Sequence, residues 1–166
     1  VNSTKYAIYV QKYVRVEKNT DYTFTFYAKS SGSGKVARCY VNAKKFSTTS
    51  SNDLRGTYSQ HTINTGWEKQ TVTFNSGENT EIALTLCSSG STATYYFDDL
   101  ALIGPNNVTP EEPENPEAAS NVVVNGDFET GDLSGWSSYS GTTVTSAVVH
   151  GGSYAMTSGN TASKYQ

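Results

Sequence analysis

The side chains with the clearest chemical potential are the tyrosines, because the chain contains twelve of them against six phenylalanines and two tryptophans. Several stand in segments where apolar and polar residues alternate, as in a strand with one buried and one outward face. One outward face of such strands is predicted to carry Tyr27, Arg38, Tyr40, Tyr58 and Gln60. Aromatic rings pack on the C–H faces of sugar rings, and Arg and Gln bond to hydroxyl groups. This pattern predicts a carbohydrate-binding surface; the alternative is that outward tyrosines are simply favourable strand residues.

The sequence does not predict catalysis. A glycoside hydrolase needs two carboxyl groups about 5 to 10 Å apart in one cleft, whereas the acidic residues here fall mainly in turns, a Pro-rich segment and two motifs described below. No nucleophile elbow or Ser-His-Asp arrangement is recognisable. The two histidines, His61 and His150, are predicted to be ordinary surface or loop residues.

Cys39 and Cys87 are the only cysteines, and each lies in a segment that resembles a strand. An even number of cysteines in a chain of extracellular character permits one disulfide, and two small buried thiols are the equal alternative. A zinc site is not predicted, because it would need further Cys or His residues nearby.

Composition is typical of a soluble, secreted β-protein, and we expect the chain to be secreted or on the cell surface of a bacterium. The 166 residues are 36% hydrophobic and 16% charged, with a net charge of -3. An acidic chain is unsuited to nucleic acid, which requires a basic face, and no apolar run approaches the roughly 20 residues of a membrane span. We therefore expect neither a nucleic-acid nor a membrane partner.

Short segments of alternating hydrophobicity, separated by turn residues, predict an all-β fold. The clearest is YTFTFYAK at 22–29, whose Tyr22, Phe24, Phe26 and Ala28 are predicted to face the core. Other predicted strands occupy 5–16, 36–42, 57–64, 68–74, 81–86, 95–104 and 142–149. Many short strands at even spacing favour a β-sandwich or jelly roll.

All four prolines fall between Pro105 and Pro116, together with repeated Glu. Proline stiffens such a segment and like charges extend it, so 105–120 is predicted to be a linker. It separates a unit at 1–104 from a second at 121–166.

The motif NGDFETGDLSGW at 125–136 resembles the opening of jelly-roll carbohydrate-binding modules of the family 4, 9, 16 and 22 type. The Gly-Gly-Ser turn at 151–153, the strand at 22–29 and the closing strand YYFDDLALIG at 95–104 also resemble these modules. Here the closing strand precedes the opening motif. Residues 1–104 resemble the last two thirds of one module, and residues 121–166 the first third of the next.

A circular permutant would complete one jelly roll from these two pieces, because the first and last strands of such folds end close together. A domain swap between two chains is the alternative, so we expect a monomer or a swapped dimer. Two half-folded units would leave sheet edges exposed.

The resemblance implies a noncatalytic module that targets a secreted multimodular enzyme to a plant or algal polysaccharide such as β-glucan, xylan, mannan or alginate.

The resemblance also implies a structural Ca²⁺, with ligands at the matching positions Asp127, Glu129, Ser153 and Asp98, and Asp99 as a further candidate. Trp67 and Trp136 are expected to pack in the core or in loops. A basic cleft of Lys29, Arg38 and Lys44 would favour an acidic glycan. The rival hypothesis is a structural spacer or adhesion repeat that binds no sugar.

Overall fold

Ten β-strands form two five-stranded antiparallel sheets in the computed structural model, which describes residues 6–43, 52–89, 93–104, 121–138 and 141–158. In chain order the strands are β1 (Tyr6–Arg15), β2 (Asp21–Ser30), β3 (Lys35–Ala43), β4 (Ser59–Ile63), β5 (Glu68–Asn75), β6 (Glu81–Ser89), β7 (Tyr95–Ile103), β8 (Ser137–Ser138), β9 (Thr142–Thr145) and β10 (Ala155–Ser158). No helix within the described ranges is long and apolar enough to cross a bilayer.

The first sheet, sheet A, has the strand order β4-β3-β6-β1-β8, and the second, sheet B, has the order β5-β2-β7-β10-β9. The core lies between their inner faces. In β2 the predicted inward residues Tyr22, Phe24, Phe26 and Ala28 are all buried. Alternation along a strand places every second side chain on the same face, so the sequence pattern fixes which side of each strand joins the core. The predicted all-β sandwich is confirmed.

The segment after residue 120 adds strands to both sheets. In sheet A, β8 pairs with β1, with Gln11 opposite Ser137. In sheet B, β10 pairs with β7, with Met156 opposite Phe97. Residues before and after the Pro-rich segment therefore share one core.

The loop between Val124 and Trp136 is fixed to β1 and the core by polar and aromatic contacts. Lys12 donates from Nζ to the Val124 carbonyl at 2.6 Å, and the same ammonium lies 4.9 Å from the Trp136 ring centroid. Trp136 is only 8% exposed and packs on the buried Phe128. Burial lowers the pKa of Lys12. The expected packing role of Trp136 is confirmed.

The predicted linker at 105–120 lies outside the described residues, as does the chain from 159 onward. The proposed domain boundaries and the circular permutation stay predictions.

The two cysteines project from opposite faces of sheet A. Cys87 on β6 is opposite Arg38, whereas Cys39, one residue later on β3, is opposite Leu86. Cys39 therefore joins the core between the sheets, and Cys87 packs with Tyr40 on the outer face. Both are free thiols. Burial raises the pKa of Cys39 to about 12 and raises that of Cys87 as well. The alternative of two buried thiols is the one observed.

Candidate functional site

Four of the five predicted sugar-binding residues meet on the outer face of sheet A. Arg38 and Tyr40 lie on β3, Gln60 on β4 is opposite Arg38, and Tyr58 lies just before β4. The Arg38 guanidinium carbon is 4.6 Å from the Tyr58 ring centroid, and the Tyr58 and Tyr40 ring centroids are 5.0 Å apart. We call Arg38, Tyr40, Tyr58 and Gln60 the tyrosine face.

Exposure is graded across the tyrosine face. Tyr40 is fully buried and Arg38 is 7% exposed, whereas Tyr58 is partly exposed and Gln60 is exposed. Burial raises the pKa of Tyr40 to about 12, and a hydrogen bond with Arg38 acts in the opposite direction. The phenol is therefore neutral at physiological pH. A ligand on this face would meet Tyr58 and Gln60, with Arg38 and Tyr40 supporting the Tyr58 ring.

A buried ion pair holds the segment that leads to Tyr58. Asp53, whose side chain is fully buried, accepts hydrogen bonds from Arg55 Nε at 2.7 Å and from Arg55 Nη2 at 2.8 Å. Asp53 also accepts from the Val41 backbone N–H at 2.9 Å, and Arg55 Nη2 donates to the Cys39 carbonyl at 3.2 Å. Such a two-pronged pair fixes geometry as well as charge. It anchors the chain before β4 onto β3, beside the tyrosine face.

The prediction that Tyr27 shares this face is wrong. Tyr27 lies on β2 in sheet B, where it is opposite Lys69 on β5 and Asp98 on β7. Strand parity correctly turned its side chain away from the core, but parity does not specify the sheet to which a strand belongs. The Tyr27 ring stacks on His150, with ring centroids 3.6 Å apart.

The two described residues of the basic cleft that would favour an acidic glycan do not lie on one face. Lys29 lies on β2 of sheet B and Arg38 on β3 of sheet A, so their side chains face opposite sides of the sandwich. Lys44 lies outside the described residues.

The predicted calcium ligands come from three segments, and two carboxylates contact the turn at 150–154. Glu129 accepts from the Ser153 N–H at 2.8 Å and from the Tyr154 N–H at 2.9 Å. Asp98 Oδ2 accepts from the His150 N–H at 2.9 Å. The opening motif, the Gly-Gly-Ser turn and the closing strand are therefore brought together.

Two of these carboxylates, Asp98 and Glu129, accept hydrogen bonds from backbone N–H groups. The second oxygen of Asp98 accepts from the Asp99 N–H at 2.9 Å, and Asp127 is exposed, with only a long contact of 3.4 Å to the Glu129 N–H. Within the described ranges, no three or more His, Cys, Asp or Glu residues form a group that could hold a metal. Burial raises the pKa of Asp98.

His150 and Trp67 form a cluster that sequence reasoning missed. His150 Nδ1 is 2.7 Å from Asp99 Oδ2, and the His150 and Trp67 ring centroids are 5.7 Å apart. Trp67 is partly exposed and lies directly before β5, so of the two expected positions, core or loop, it occupies the loop. The position of Trp67 next to a Gly turn was the only available signal for this cluster. Its contact with His150 was missed because the two residues are distant in the sequence.

Comparison with protein-family models finds no match, and comparison with curated proteins finds none either. Among solved structures, the chain is similar to "CBM4 structure and function", with a TM-score of 0.46 and 14% identity over 57% of this chain and 59% of that chain. It is also similar to "PbXyn10C CBM APO", with a TM-score of 0.45 and 17% identity over 84% of each chain. Both are described as carbohydrate-binding modules. The chain spans less than two thirds of the first structure.

Proposed function

We propose that this protein is a noncatalytic carbohydrate-binding module of a secreted, multimodular enzyme that degrades a plant or algal polysaccharide. The observation that carries the proposal is the tyrosine face, where the partly exposed Tyr58 ring is supported by Arg38 at 4.6 Å and by Tyr40 at 5.0 Å. A ring held on one side is ready to stack on a sugar with little further loss of freedom. Gln60, exposed opposite Arg38, supplies an amide for sugar hydroxyls.

The acidic residues support a noncatalytic role. The buried Asp98 accepts hydrogen bonds through both of its oxygens, and Glu129 accepts two backbone N–H groups. A pair of hydrolytic carboxylates has to face a cleft that admits the scissile bond and water. These two carboxylates instead hold the turn at 150–154.

A second function is favoured by the burial of the tyrosine face. Tyr40 is fully buried and Arg38 is 7% exposed, as expected if this face stabilises the sheet rather than a ligand. The protein would then be a structural spacer or adhesion repeat.

Affinity electrophoresis distinguishes the two functions. The protein is run through gels containing soluble β-glucan, xylan, mannan or alginate. If it binds, Tyr58→Ala is expected to weaken retardation about tenfold or more, because a central aromatic contact contributes ~2 kcal/mol. Tyr154→Ala, which removes a tyrosine that is 36% exposed outside the tyrosine face, is the matched control and should leave retardation unchanged. Passage of the folded protein through every gel without retardation would favour the spacer.

A structural calcium ion is part of the proposal and rests on the resemblance alone. Asp127, Glu129, Ser153 and Asp98 would hold it. Calcium at about 100 times its dissociation constant would add about 2.7 kcal/mol of stability, or roughly 5 to 10 °C in melting temperature. The melting temperature is measured with calcium and with a chelator. Equal values would show that the carboxylate–amide contacts join these segments without an ion.

A further inference from the structure

The outer face of sheet B carries aromatic and basic side chains in adjacent positions on neighbouring strands. Lys29 on the central strand β2 is opposite Tyr96 on β7, and its ammonium lies 5.9 Å from the ring centroid of Trp67. Lys69 on β5 is opposite Tyr27, with its ammonium 5.9 Å from that ring centroid. We call Trp67, Lys29, Tyr96 and Lys69 the lysine face.

All four members of the lysine face are accessible: Lys69 is exposed, and the other three are partly exposed. Next to Tyr96 on the following strand is Thr157, also partly exposed. Neighbouring strands are about 4.8 Å apart, so Trp67 and Tyr96, on either side of Lys29, are separated by about 10 Å. Across the sheet the order is therefore the Trp67 ring, the Lys29 ammonium, the Tyr96 ring and the Thr157 hydroxyl. The spacing between neighbouring strands is close to the length of one pyranose unit.

His150 contacts two aromatic residues next to this face. The His150 ring stacks on Tyr27 and meets Trp67 edge-on, with an interplanar angle of 70°. His150 is held in turn by Asp99 through Nδ1 and by Asp98 through its backbone N–H. His150 therefore links Tyr27 to Trp67 on this face.

The positive charges of Lys29 and Lys69 would select an anionic ligand. Neither Lys29 nor Lys69 forms an ion pair within the described part of the chain, where the Lys and Arg ion pairs are Lys18 with Glu78 and Arg55 with Asp53. The acids on the neighbouring strand β7 have other partners, because Asp99 contacts His150 and the buried Asp98 accepts backbone N–H groups. Two ammonium groups next to aromatic rings are thus open to an external carboxylate.

We propose that the lysine face is a second ligand-binding surface, separate from the tyrosine face, that binds an anionic saccharide built from uronate units. The sugar ring would stack on Trp67 or Tyr96, and its carboxylate would lie against Lys29 or Lys69. A peptide is less suited, because β2 and β7 are central strands whose backbone groups are already paired on both sides, so no strand can be added there.

The test uses calorimetric titration with soluble polygalacturonate, its fully methyl-esterified form and poly-L-glutamate as probes. The ester has the same sugar backbone without charge, and the polypeptide has the charge without sugar rings. We expect polygalacturonate to bind and the double variant Lys29→Gln/Lys69→Gln to bind it about tenfold more weakly. The double variant Lys18→Gln/Lys35→Gln removes the same charge elsewhere and should bind as the parent does. Tyr58→Ala, on the opposite sheet, should bind polygalacturonate unchanged.

Three results would overturn the proposal. One is equal affinity of the Lys29→Gln/Lys69→Gln variant and the parent for polygalacturonate. Another is equal affinity of the parent for poly-L-glutamate and polygalacturonate, which would show attraction by charge alone. The third is binding lost in Tyr58→Ala but kept in the lysine variant, which would assign the anionic saccharide to the tyrosine face. Both lysine variants alter partly or fully exposed side chains, so a shared unfolding midpoint verifies that each is folded.

Discussion

His61 is the residue whose environment most directly predicts a change of stability with pH. It lies on β4 with Nδ1 3.0 Å from Gln70 Oε1 on the other sheet, and its ring meets Phe26 edge-on at 5.4 Å between centroids. Its Nε2 is buried without a hydrogen-bond partner in the described structure. Burial lowers the pKa of His61 from its ordinary value of 6.5, while the contact with Gln70 acts against that shift.

The unfolded chain therefore binds a proton at His61 at a higher pH than the folded protein does. Below about pH 6.5 the unfolded state binds more protons at His61 than the folded state does. The free energy of unfolding is therefore expected to fall as the pH falls below about 6.5, and the contribution of His61 is expected to be constant above that pH. Urea unfolding between pH 8 and pH 5.5 measures this dependence. His61→Gln should flatten it. An unchanged slope in His61→Gln would assign the dependence to other groups.

Among the elements, the docking of the opening motif on β7 requires close backbone approach. The Leu100 N–H donates to the Gly126 carbonyl at 2.8 Å, and the Asn121 side chain bonds to β7 at the Leu102 N–H and at the Leu100 carbonyl. A Cβ at Gly126 would overlap the Leu100 carbonyl oxygen. Phe128 follows with a left-handed backbone, at φ 59°, and is fully buried. Packing and hydrogen bonds therefore hold this motif in a costly conformation.

Gly126→Ala is expected to lower the free energy of unfolding by roughly 3 kcal/mol, because the added methyl group meets backbone that cannot rotate away. Denaturant unfolding measures the change. The matched control is Gly66→Ala, since a Cβ there meets no atom within 4 Å. Equal stabilities of the two variants would show that the opening motif does not depend on close contact with β7.

The pairing of β8 with β1 and of β10 with β7 lets a single chain complete both sheets of the molecule. We therefore expect a monomer of 17.9 kDa in solution. Light scattering after gel filtration measures the mass. Twice that mass would favour the domain-swapped dimer, in which the same pairs of strands form between two chains.

Local alternation in the sequence was enough to predict strands at the positions of β1 to β7 and β9, the buried face of β2 and the all-β class, because a pattern such as that of 22–29 reports directly which side chains leave water. It also brought Arg38, Tyr40, Tyr58 and Gln60 to one face, since their parity and the pairing of neighbouring strands agree.

The assignment of each strand to a sheet required the folded structure. That assignment separated Tyr27 from the tyrosine face. It placed Cys39 and Cys87 on opposite sides of sheet A. It also brought His150 into contact with Trp67, which is distant in the sequence. Strand parity is a local property of the backbone, whereas the sheet partner, and the burial that follows from it, depend on contacts between residues far apart in the chain.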